Sequence, residues 1–96
     1  MLSEKNTRLR KLLIVLGHYQ TLMIIAELLI VPKVSFNELR KKIAVNPASM
    51  DKYLKILIGE ELVQKDETSE LMRNWYSLTS KGYQLKRVFS ILTRIS

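Results

Sequence analysis

The chain has 96 residues, 47% of them apolar, which suffices for one domain with a modest core and excludes two. Sixteen basic residues against nine acidic give a formal charge of +7, which draws a protein towards polyanions, nucleic acid or an anionic membrane. Cysteine is absent and His18 is the single histidine, so a disulfide scaffold, a thiolate metal site and a histidine-ligand cluster are excluded; no metal or cofactor is expected, and a reducing, cytoplasmic setting is.

Residues 3–16 read as an N-terminal helix. Ser3 and Glu4 suit its start, and Leu9, Leu12, Leu13 and Leu16 form an apolar stripe with Lys5, Arg8 and Lys11 between them. Gly17 marks a break, because glycine costs about 1 kcal/mol against alanine inside a helix. A second helix is predicted from His18 to Val31, ahead of Pro32, with Leu22, Met23, Ala26, Leu29 and Ile30 facing inward. The window Leu12 to Val31 has the length and greasiness of a membrane span, and four positive charges precede it. Glu27 inside it, and His18, Gln20 and Thr21 near its middle, argue against insertion, since one buried carboxylate costs roughly 2.5 kcal/mol or more. No small-residue cleavage site follows Gly17, which argues against a signal peptide.

Val34 suits a very short strand. Ser35 and Glu38 then stand at capping-box spacing and open a short helix to about Ile43, with Phe36, Leu39 and Ile43 turned inward. Ala44, Val45 and Asn46 form a tight turn into the helix 47–58. Asn46 caps that helix and Pro47 takes its first position. On its helical wheel Met50, Leu54, Leu57 and Ile58 share one face, with Ala48, Lys52 and Lys55 opposite and Ser49 and Asp51 at the flanks. Two short helices joined by about three residues make a helix-turn-helix, whose second helix can enter a DNA major groove by its polar face.

Beyond Gly59, which reads as a helix terminator, the pattern turns to strands. A hairpin is predicted over 62–78, with runs Leu62 to Glu67 and Arg73 to Leu78 about a Thr68-Ser69-Glu70 turn. Tyr76 and Leu78 alternate onto one face of it and Trp75 onto the other, where it covers the outside of the hairpin. Thr79 caps a final helix over 79–96, in which Leu85, Val88, Leu92 and Ile95 recur at the spacing of a coiled-coil seam.

The residues also resemble a known family. The run Ser49, Tyr53-Leu54-Lys55-Ile56-Leu57, Leu62-Val63, followed by Tyr76-Ser77-Leu78-Thr79-Ser80-Lys81-Gly82, is similar to the small winged helix-turn-helix transcription regulators of the ArsR, MarR and PadR kind. The likeness spans Ser35 to Leu85. It implies one domain over 1–96, mainly α with a small β-hairpin wing. Residues 1–17 and 79–96 would be an extra N-terminal helix and a long C-terminal helix, both used in dimerisation. Residues 18–78 would be the core, with recognition helix 47–58 and wing 62–78. Two features depart from the family pattern. Glu61 stands where a glycine usually precedes Leu-Val, so the turn must tolerate a side chain or move to Gly59. The wing offers Asp66, Glu67 and Glu70, and carboxylates repel phosphates, so its tip is not expected to hold DNA.

The expected DNA-binding residues are therefore Arg40, Lys41 and Lys42, with Asn46, Ala48, Ser49, Asp51, Lys52 and Lys55 from the turn and helix 47–58, and Lys65 and Arg73 near the wing tip. Lys52 and Lys55 suit phosphate or guanine, Ser49 backbone or base, and Asp51 a cytosine amino group or a purely surface role. Leu9, Leu12, Leu13, Leu16, Leu85, Val88, Leu92 and Ile95 exceed what one small domain can bury and are expected at a homodimer interface. No catalytic constellation or phosphate loop is present, and the acidic residues 60–70 lack calcium-loop spacing, so an enzyme is not expected. The sequence thus points to a homodimeric regulator of transcription that binds double-stranded DNA and represses by occupying a promoter. A protein-interaction module using the acidic wing or Trp75, and a regulator anchored by Leu12 to Val31, are the alternatives. An Ile/Leu/Lys-rich, cysteine-free make-up suits an archaeal or archaeal-virus source.

Overall fold

The computed structural model describes residues 4–66 and 74–95 and centres on one apolar helix, α2 (Tyr19–Ile30). Before it comes α1 (Glu4–Leu16), and after it β1 (Val34–Ser35), α3 (Phe36–Ile43), α4 (Pro47–Gly59), β2 (Val63–Asp66), β3 (Trp75–Leu78), α5 (Ser80–Tyr83) and α6 (Lys86–Ile95). The three strands form an antiparallel sheet in the order β1-β3-β2, with Val34 opposite Tyr76 and Val63 opposite Leu78. Helices 2, 3 and 4 pack with the sheet round a core of Ile24, Ile25, Leu28, Val34, Leu39, Met50, Leu54, Leu57, Leu62, Val63, Tyr76 and Leu78. This is the winged helix-turn-helix arrangement that the element order implied.

Helices α1 and α2 meet at 87° across Gly17 and His18, and among the described residues no single helix is long and apolar enough to cross a membrane, although this bent pair passes on length and composition. The corner is pinned by Thr21. Its buried hydroxyl lies 2.6 Å from the Val15 carbonyl and 2.8 Å from the His18 carbonyl. That anchor decides which face of α2 is inside. Thr21, Ile24, Ile25 and Leu28 are buried, whereas Met23 and Ile30, expected in the core, are 37% and 77% exposed. The true inner face lies about half a turn from the predicted one, because nine of the 12 residues are apolar and the wheel alone has no clear polar side.

Local chemistry explains the next elements directly. Ser35 caps α3 by accepting from the Glu38 amide at 3.3 Å, and its own hydroxyl lies 3.2 Å from the Glu38 carboxylate, which takes that proton instead of reaching the backbone. Ala44 closes α3 in the left-handed region at φ 58°, its amide donating to the Arg40 carbonyl at 2.9 Å. Helix α4 ends in a Schellman motif: Leu62 N–H donates to the Leu57 carbonyl and Glu61 N–H to the Ile58 carbonyl, both at 2.9 Å. The left-handed residue of that motif is Glu61, at φ 60°. The turn therefore tolerates a side chain, and Gly59 is merely the last helical residue. Because a left-handed conformation costs an L-residue roughly 1–2 kcal/mol and glycine little, Glu61→Gly is expected to stabilise the fold. The gain is about 1 kcal/mol after the added freedom of the unfolded chain, or a melting temperature about 4–8 °C higher by calorimetry.

The C-terminal segment is not one helix. Thr79 caps α5 by accepting from the Gly82 amide at 3.0 Å, and the chain then tightens through short i→i−3 bonds, Gln84 to Lys81 and Leu85 to Gly82. Leu85 is drawn into the core and α6 starts afresh at Lys86. No residue of α6 is buried. The radius of gyration, 14.0 Å, exceeds the roughly 12–13 Å of a compact domain this long, and the extents of 50 × 29 × 25 Å describe an elongated molecule.

Candidate nucleic-acid interface

Helix α4 is fixed from both ends and from beneath. Asn46 Oδ1 accepts from the Ser49 amide at 2.8 Å, Pro47 starts the first turn, and Met50, Leu54 and Leu57 anchor the inner face. Ala48, Asp51, Lys52 and Lys55 stand exposed on the outer face, with Ser49 half-buried at its edge. Tyr53 is also half-buried, its ring tilted against His18 at 6.2 Å. Asp51 is exposed at the flank of that face, and its carboxylate pairs with the Lys55 ammonium one turn on, at 2.8 Å. The hydrogen bond that Lys55 donates to Asp51 first, then the carboxylate's charge, raises the Lys55 pKa above the ordinary lysine value.

The basic residues of α3 have different surroundings. Lys42 forms an ion pair with Glu27 of α2, which ties α3 to the core helix. Lys41 is exposed and Arg40 half-buried. Among the described residues Arg40, Lys41 and Lys52 form no ion pair, so no carboxylate offsets their charge.

Of the wing carboxylates, Asp66 lies within the described residues, opposite Trp75 at the end of β2 farthest from Val63. Asp66 accepts from Lys33 at 2.9 Å, and the same ammonium lies 5.9 Å above the Trp75 ring. Trp75 is half-buried, as a residue covering the outer side of the hairpin should be, and Lys65 is exposed. Glu67, Glu70 and Arg73 lie outside the described residues. Sequence reasoning gave Lys33 no role, and no local signal marks it, since Asp66 is 33 positions away.

The residues expected at a dimer interface divide three ways. Leu9, Leu13, Val88, Leu92 and Ile95 are exposed, Leu12 and Leu16 are half-buried against the core, and Leu85 belongs to the core itself. Two residues join the exposed set, Ile14 at 63% and Ile91 at 54%. Ile14 sits on a face of α1 that the leucine spacing did not mark, whereas Ile91 borders the seam of α6, one turn from Val88 and Ile95.

No family model and no curated protein matches the sequence. Solved structures do match the fold. The reduced form of the transcriptional regulator YodB from B. subtilis superposes with a TM-score of 0.80 at 24% identity, over 98% of this chain and 90% of that one. A MarR-family transcriptional regulator from Porphyromonas gingivalis W83 gives 0.79 at 23% identity, over 98% and 93%. A transcriptional regulator homologue from Pyrococcus horikoshii OT3 gives 0.76 at 24% identity, over 93% of each chain. At such identities the likeness concerns the fold, and it extends through α1 and α6 as well as the central winged helix.

Proposed function

We propose that this winged helix-turn-helix chain is a homodimeric regulator of transcription that binds double-stranded DNA sequence-selectively and represses by occupying a promoter. The observation that carries the proposal is the outer face of α4, which presents Ala48, Ser49, Lys52 and Lys55 opposite a buried ridge of Met50, Leu54 and Leu57. An α-helix so mounted fits a major groove, with small residues allowing close approach and lysines meeting phosphate or base acceptors. Lys41 and Arg40 of α3 are positioned on the preceding element to take flanking phosphates, and Lys65 extends from the wing. The regulators named by the structural neighbours support this choice of partner.

A second copy completes the reading. Helix α6 has no fully buried residue and rests on its own core through Phe89, and together with α1 it leaves Leu9, Leu13, Ile14, Val88, Ile91, Leu92 and Ile95 more than two-fifths exposed. Exposed apolar stripes of that kind are normally covered. Pairing two copies through them gives a twofold dimer whose α4 helices address half-sites about one DNA turn, roughly 34 Å, apart. Leu92→Glu is expected to leave the fold intact, because Leu92 is 52% exposed, and to shift the native mass to that of a single 11.2 kDa chain. A variant that still runs as a dimer moves the interface elsewhere.

The function itself is tested by incubating the protein with fragmented genomic DNA and sequencing what it retains, followed by gel shifts on the enriched duplexes. A few twofold-symmetric sites, bound in the nanomolar range and weakening steeply with salt, are expected. Absence of any shift at about 100 mM salt, with a defined protein co-purifying instead, establishes the protein-interaction alternative.

A further inference from the structure

We infer that Asp51 is a specificity-determining residue of α4, whose carboxylate, held against Lys55, selects a G·C base pair in the major groove. The inference rests on the DNA-binding function proposed above and adds to it the identity of a base pair and the residue that reads it. Asp51 and Lys55 sit one helical turn apart on the outer face, with side chains 54% and 76% exposed and charged atoms 2.8 Å apart. An exposed pair of this kind contributes little to stability. Its consequence lies in what the face offers to DNA.

A carboxylate only accepts hydrogen bonds and an ammonium only donates them. Phosphate oxygens, guanine N7 and O6, and thymine O4 are acceptors, so Asp51 is repelled by all of them and satisfied only by the amino group of cytosine or adenine. Lys55 needs an acceptor beside that amino group. In a G·C pair, guanine O6 and the cytosine amino nitrogen are joined by a hydrogen bond of roughly 2.9 Å. That spacing matches the separation of the Asp51 oxygen and the Lys55 nitrogen, so the two pairs can stack donor on acceptor and acceptor on donor. Guanine N7 then offers the ammonium a second acceptor. An A·T pair also carries a donor beside an acceptor, but its O4 is flanked by the thymine methyl group and has no second acceptor next to it, which an ammonium disfavours. The raised pKa of Lys55 agrees with a pair that stays fully charged. Asp51 also lowers the attraction of this face for phosphate, so binding without the right base pair is weakened.

The test is selection from a randomised duplex library by the wild-type protein, Asp51→Ala and Asp51→Asn, with circular dichroism to confirm unchanged helix content. The wild type is expected to enrich a G·C pair at one position of each half-site. Asp51→Ala is expected to keep the rest of the motif, to lose about tenfold in preference at that position, and to bind random duplex several-fold more tightly. Asp51→Asn is expected to move the preference there towards A·T, because an amide pairs bidentately with adenine. A uniform gain in affinity with every preference retained overturns the role of Asp51 and leaves DNA binding in place. If the wild type itself retains no duplex, the proposed function falls, and the role of Asp51 with it.

Discussion

Gly82→Ala is expected to lower the melting temperature by roughly 10–20 °C, the largest effect of a methyl group added at any of the three glycines. A Cβ built at residue 82 falls 2.2 Å from the backbone carbonyl oxygen of Leu62 and 3.0 Å from Leu78 Cδ2. The first contact is with backbone, so no side chain can swing away to relieve it. The same carbonyl accepts from the Thr79 amide at 3.0 Å, and Thr79 in turn accepts from the Gly82 amide at 3.0 Å. Displacing it therefore disturbs the start of α5, the end of the Schellman turn and the entry to β2 together. Overpacking of this kind costs about 1–3 kcal/mol, the lost hydrogen bond adds about 1 kcal/mol, and each kcal/mol lowers the midpoint by about 4–8 °C in a domain of this size. Gly59→Ala is the control. Nothing lies within 4 Å of its added Cβ and its φ is not positive, so the midpoint should hold or rise slightly. A Gly82→Ala midpoint within two degrees or so of the parent's would show that the strand and α5 are not locked as described.

On the DNA side, the double variant Lys52→Ala/Lys55→Ala should show the largest loss. Lys52 forms no ion pair among the described residues and sits at the centre of the exposed face of α4, and in the proposed complex it neutralises one phosphate. Each such contact contributes about 0.9 to the slope of log affinity against log salt, which near 0.15 M amounts to roughly fivefold in affinity. Lys55, paired with Asp51, reads a base in the proposed complex, where a good contact contributes roughly tenfold. Fluorescence anisotropy on an enriched duplex should therefore show a fall of about 50-fold for the double variant at 0.15 M salt. Lys52→Ala alone should reduce the salt slope by about one, while Lys55→Ala should leave the slope nearly unchanged and flatten the preference at one base pair. If the double variant keeps both its affinity and its slope, α4 does not lie in the groove.

Both predictions concern elements whose sequence signals differed greatly in clarity. Three helix starts were legible because their chemistry is local. Ser35 before Glu38, Asn46 before Pro47 and Thr79 before Gly82 each cap within four residues, and all three caps form. The two faces of α4 were legible for a related reason: Met50, Leu54, Leu57 and Ile58 crowd onto one side opposite Lys52 and Lys55, so the 3.6 period identifies the inside without reference to any partner. The alternation of Trp75, Tyr76 and Leu78 worked in the same way for β3.

What composition and spacing determined, then, is the order of elements, their caps and the outward placement of Lys52 and Lys55, all set within a few residues by hydrogen-bonding capacity and hydrophobic period. Only the tertiary structure decided the rest. Helix α2 is apolar on most sides, so its inner face was chosen by the Thr21 corner and by packing on α3, α4 and the sheet, opposite to where the wheel put it. The break at Gln84 and Leu85 follows from Leu85 reaching the core while Gly82 presses on Leu62, a distance constraint that no period contains. Lys33 with Asp66, and Lys42 with Glu27, are joined across 33 and 15 positions, so their charges were visible in the chain but their partners were not. Pairings of that range are fixed only when the backbone closes on itself, because a charge carries no information about which distant charge the fold will bring beside it.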